Sequence, residues 1–184
     1  MESNRLLTTA TATPADVTDD PPQARWLMAV VRVGVALLWI QNLSWKAPPD
    51  FGKNSGGGLY KWAKFAVDKP VFGPYAWFVE HVVLPNFTVF GWLTLLVEAG
   101  LGAFLLVGLA TRLWALIGIA QSVAIALSVL NAPHEWHWAY FLMILAHVAL
   151  FATAAGRSFG VDGVLRPTWR ASSGRVARVL LRVS

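Results

Sequence analysis

Residues 87–109 read FTVFGWLTLLVEAGLGAFLLVGL, an apolar run interrupted by a single carboxylate near its midpoint. At about 1.5 Å of rise per residue, a run of this length crosses a hydrocarbon layer about 30 Å thick as one helix. Glu98 then costs at least ~2.5–3.5 kcal/mol on insertion scales if it faces lipid. It must face other protein, take up a proton or pair with a cation. The rest of the chain is read for what surrounds that residue.

Three more apolar runs accompany it. The spans are expected at about residues 26–45, 87–109, 113–130 and 136–155 of the 184-residue chain. Only 14% of residues are charged, well below the roughly 25% of a soluble domain, so the chain reads as an integral membrane protein. The net charge of +5 is a topology signal rather than a nucleic-acid footprint. No nucleic-acid partner is expected. The chain has no cysteine, which excludes disulfides, thiolate catalysis and Cys-ligated clusters within it. Redox chemistry would need a bound cofactor or a partner subunit.

The expected architecture is all-α: an antiparallel four-helix transmembrane bundle, with an extracytoplasmic amphipathic and helical insertion between spans one and two. Residues 1–24 are polar and read as a flexible cytoplasmic tail. Residues 25–165 form the four-span domain, and residues 46–86 its outer insertion. That insertion opens with KAPPDFGKNSGGG, a loop by its Pro and Gly content, followed by LYKWAKFAV, whose apolar residues fall on one helical face. Residues 166–184 read as a basic amphipathic cytoplasmic tail, with Arg175, Arg178 and Arg182 set against Val176, Val179, Leu180 and Val183, suited to anionic lipid. Four crossings place both termini and Arg112 on one side. Basic residues near span ends make that side cytoplasmic, in an inner membrane.

Each span carries a polar residue at depth. Measured from the cytoplasmic end, Arg32 comes out at about 10 Å, Gln121 at about 12 Å, His147 at about 13 Å and Glu98 at about 16 Å. A common polar layer is therefore expected, with an Arg32–Glu98 ion pair completed by Gln121 and His147. Such a layer either carries chemistry or only fixes helix register, and both readings stand. As a chemical site it would use Glu98, Arg32 and His147, with Gln121 as a binding residue within the layer and Gln41, Asn42, Trp45 and Lys46 as binding residues lining an outer entrance. No metal site is expected. His134-Glu135-Trp136-His137 lacks the i,i+4 histidine spacing that aims two rings at one ion.

The first-span ending LLWIQNLSWKAPPDFG, Glu98 followed by small residues, LLVGLATR at 105–112 and AAGRSFGVDGVL at 154–165 occur in order. Together they resemble the DoxX/DoxD family, over roughly residues 26–165. The first-span ending and the long outer connection resemble the DoxD subunit of thiosulfate:quinone oxidoreductase more than minimal DoxX proteins. The resemblance implies a membrane subunit of a quinone-linked redox system, with partner subunits, a quinone and no covalent cofactor. The alternatives are a non-catalytic accessory or assembly subunit of a respiratory or envelope complex, and a lipid- or small-molecule-binding membrane protein.

Overall fold

A computed structural model describes residues 21–184. The cytoplasmic tail expected over residues 1–24 lies almost wholly outside the described residues. Among the described residues the chain is helical without strands. The elements are α1 (Pro22–Leu43), α2 (Gly58–Asp68), α3 (Gly73–Phe78) continuing as a π-helical turn (Val79–Val83), α4 (Phe87–Val107), α5 (Thr111–Val129) and α6 (His137–Thr153). A 3₁₀ turn (Ala155–Arg157), α7 (Val161–Ala171) and α8 (Arg175–Val183) complete the chain. Helices α1, α4 and α5 are long and apolar enough to cross a membrane, while α6, with 17 residues, is a shorter apolar helix. The protein is a multi-pass membrane protein.

Local chemistry sets the helix ends. Pro22 opens α1, where a missing amide hydrogen costs nothing. Gly108 ends α4 at φ +71°, and its amide closes back on the Phe104 carbonyl, the left-handed C-terminal turn that glycine favours. The span therefore stops short of residue 109.

Two helix pairs organise the interior. α1 packs along α4 and α5 along α6. A Cβ on Gly102 of α4 would meet Ile40 and the Ala36 carbonyl of α1. One on Gly118 of α5 would meet the His147 ring of α6. Small residues here let backbones approach closely, which is how helices associate without a hydrophobic driving force between them. The core consists of Val35, Ala36, Trp39, Leu101, Leu105, Ala115, Leu150 and Ala155. Leu38, Leu96, Leu116 and Leu145 lie on the outside, as expected of surfaces that meet lipid.

The α1–α2 connection does not stay at the rim. Gly91, in the N-terminal half of α4, has Phe51 so close that a Cβ would overlap its ring. Phe51 is fully buried and sits edge-on to Trp92. Tyr60 meets Phe87 in the same edge-on manner. α1 therefore ends well below the start of α4, and the connection and α2 fill the space above it. α2 also packs on α5, and α3 is tied there by the Tyr75 hydroxyl, 3.1 Å from the Ala124 carbonyl and 3.0 Å from Ser128 Oγ.

Candidate functional site: a buried lysine–glutamate pair and the layers below it

Glu98 is almost completely buried, and its cation is Lys46 rather than Arg32. Lys46 Nζ lies 2.5 Å from Glu98 Oε2, with both side chains at most 2% exposed. Asn42 Nδ2 donates to the same oxygen at 3.2 Å, and Gln121 Nε2 donates to Oε1 at 3.2 Å. The ammonium has two further partners: the Asn42 carbonyl at 2.8 Å and the Trp45 ring, 4.3 Å from its centroid. The Trp45 indole in turn donates to Asn42 Oδ1 at 3.0 Å. Each carboxylate oxygen thus accepts from at least one donor, the condition under which a desolvated pair is tolerated. Burial pulls the Lys46 ammonium below its ordinary range, and the Glu98 charge opposes that shift. Asn42 and Gln121 are only half-buried and Trp45 is exposed, so the buried pair adjoins partly exposed side chains.

Arg32 cannot join this group. In the antiparallel packing of α1 on α4, Asn42 lies opposite Glu98. Arg32 lies ten residues below Asn42, about 15 Å along the axis. There its guanidinium receives the end of α4: Nη1 donates to the Leu105 carbonyl at 2.5 Å and to the Leu106 carbonyl at 2.8 Å, and Nη2 to the Phe159 carbonyl at 3.2 Å. A cation on the last carbonyls of a helix satisfies orphan acceptors and complements the dipole. Nearby, buried Asp162 accepts from the Ala110 amide at 2.8 Å and the Thr111 amide at 2.9 Å, capping α5 from across the fold. Its own amide donates to the Gly108 carbonyl at 2.9 Å. The segments LLVGLATR and AAGRSFGVDGVL are therefore the two halves of one structural corner.

His147 forms a third layer. Trp39 Nε1 donates to His147 Nε2 at 2.9 Å, and Nδ1 lies 2.7 Å from the Met143 carbonyl. These partners assign a neutral imidazole with its proton on Nδ1. Trp39 lies one turn below Asn42 on α1, so this layer adjoins the lysine–glutamate pair without sharing a bond with it.

The expected single polar layer is thus three layers stacked along α1. Gln121 and Asn42 join Glu98; His147 and Arg32 do not. Gln41 is exposed, and its backbone carbonyl accepts from Ser44 Oγ at 2.9 Å. Counting depth from each span's end assumes flush helices, and α1 is displaced along its axis relative to α4. Lys46 was legible only as a loop residue at an outer entrance, although its position four residues after Asn42 keeps it on the same side of an extended helix. Asp162 stands inside the AAGRSFGVDGVL segment, and nothing local in that sequence marks it as the cap of a helix distant along the chain.

The family model described as TQO small subunit DoxD matches residues 27–182. The chain belongs to the DoxD family. The match runs past Arg166 through α7 and most of α8, so it takes in the basic C-terminal helices. No curated protein and no solved structure matches this DoxD chain.

Proposed function

We propose that this DoxD protein is a membrane subunit of a quinone-linked system of the thiosulfate:quinone oxidoreductase type, and that Lys46 and Glu98 serve the quinone. In this reading α6 crosses the bilayer with α1, α4 and α5, giving an antiparallel four-helix bundle in the inner membrane. The 46–86 insertion is extracytoplasmic and both termini are cytoplasmic. The observation that carries the reading is a carboxylate and an ammonium held together among apolar helices with two half-buried amides beside them. Intramembrane ionisable residues usually mark substrate or proton paths.

Quinone reduction to quinol consumes two electrons and two protons. The electrons come from oxidation of a reduced sulfur compound by a partner subunit. Asn42, Gln121 and Lys46 are hydrogen-bond donors of the kind a quinone carbonyl accepts, and Glu98 is a group within reach to pass a proton. Arg32 and His147 act here as structural residues.

The test uses the complex with its partner subunits in lipid. The double variant Lys46→Met/Glu98→Gln is expected to keep the fold while lowering quinone reduction about a hundredfold or more, the size of effect expected when a positioned acid–base group is removed, and to weaken quinone-analogue binding. Wild-type turnover in that variant overturns the reading. The saturated hydrogen bonding of the pair favours one second reading, an accessory subunit in which Lys46 only clasps the α1–α2 connection onto α4. It predicts full turnover in the double variant and loss of partner subunits when residues 59–67 are deleted.

A further inference from the structure

The last two helices are docked, not trailing. α8 packs against α7 and α5. Ala177 and Ser184 are buried, and Ser184 is held from α7 by Arg166, whose Nη1 lies 2.6 Å from Ser184 Oγ and 3.0 Å from the Leu181 carbonyl. Arg157 reaches the Ser184 carbonyl at 3.0 Å. This fixes the rotation of α8. With Ala177 and Ser184 inward, two outward edges remain. One carries Arg175, Arg178 and Arg182, all exposed. The adjoining edge carries Val176, 72% exposed, and Val179, 57% exposed. Val164 of α7 and Phe159, which has the Arg25 guanidinium over its ring, are exposed as well.

Charge decides what covers these edges. This end of the molecule, where α1 begins, α4 turns into α5 and α6 gives way to α7, holds Arg25, Arg112, Arg157, Arg166, Arg170, Arg175, Arg178 and Arg182. Among the described residues its one side-chain carboxylate is Asp162, which is buried on backbone amides. The other carboxylates among the described residues, apart from Glu98, belong to the 46–86 insertion and the α5–α6 turn at the opposite end.

We infer that α8, held by α7, is a preformed contact for anionic phospholipid: Val176 and Val179 enter the acyl region beside the bundle while Arg175, Arg178 and Arg182 bind headgroup phosphates. A basic edge next to an apolar edge is the arrangement of a helix lying in the interface. Because Ala177 and Ser184 face protein, the helix has one permitted roll angle.

The cysteine-free chain allows a direct test on the full-length protein. A spin label on Val179→Cys is compared in nanodiscs of phosphatidylcholine alone and of phosphatidylcholine with phosphatidylglycerol. Oxygen and a water-soluble relaxant report immersion. The label is expected to be oxygen-accessible in the anionic membrane and more aqueous in the neutral one. Replacing Arg175, Arg178 and Arg182 by Gln shifts the immersed-to-aqueous ratio about fivefold for each charge removed. Replacement of all three by Lys retains immersion, which separates lost charge from a lost helix. A label equally accessible to water in both membranes overturns the inference, as does immersion indifferent to the Gln replacements or lost equally with Lys.

Discussion

Glu98→Gln isolates the charge at the centre of this fold, because glutamine keeps the shape and can still accept from Lys46, Asn42 or Gln121. What it removes is the counter-ion of an ammonium 2% exposed. Breaking one side of a buried pair costs about 3–5 kcal/mol. The lysine has an escape that bounds this cost: it can fold neutral. Losing a proton at pH 7 from a group that ordinarily titrates near 10.4 costs about 4.6 kcal/mol, at 1.36 kcal/mol per pH unit. At about 2–4 °C per kcal/mol for a chain of this size, thermal unfolding in detergent followed by tryptophan fluorescence is expected to shift down by about 6–18 °C.

The pH dependence identifies the cause. With its counter-ion gone, Lys46 binds fewer protons folded than unfolded, so the variant gains stability relative to wild type as pH rises towards the unfolded lysine range. At pH 9.5 the bound falls to about 1.2 kcal/mol. Lys46→Met added to Glu98→Gln is expected to restore most of the loss at pH 7, since replacing both partners of a buried pair is often near neutral. A Glu98→Gln shift under about 2 °C, or one that does not shrink between pH 7 and 9.5, refutes the claim that Lys46 is held charged by Glu98.

Four further substitutions are read by the same unfolding measurement. Asp162→Asn leaves one acceptor oxygen for the two amides of Ala110 and Thr111, so about 1–3 kcal/mol is expected to be lost; no change would remove the corner from the account. Gly118→Ala drives a methyl into the His147 ring and is expected to cost about 1–3 kcal/mol, while Gly34→Ala, with nothing near its Cβ, is expected to be stabilising or neutral. Arg32→Lys keeps the charge but not the fork that spans the Leu105, Leu106 and Phe159 carbonyls, and is expected to lose about 1–3 kcal/mol; full stability would show that charge alone serves there.

Hydropathy and composition were enough to read an all-helical membrane chain, the approximate limits of α1, α4 and α5, and the cost of placing Glu98 among them. Each is a local or additive property: a run of apolar residues meets the length of the acyl layer whatever its neighbours do. The α2 helix was likewise legible, because amphipathic spacing is local. The partner of Glu98 was not. It depended on how far α1 slides along α4, and that offset is set by Gly102 against Ile40 and Ala36, and by Phe51 filling the space over Gly91. These are contacts between segments dozens of residues apart. They carried Lys46 inward from the connection, left Arg32 on the last carbonyls of α4 and closed His147 onto Trp39. Sequence alone established that a buried charge needed a companion. Tertiary packing chose which one, because helix register is a property of two surfaces and is written in neither strand of sequence by itself.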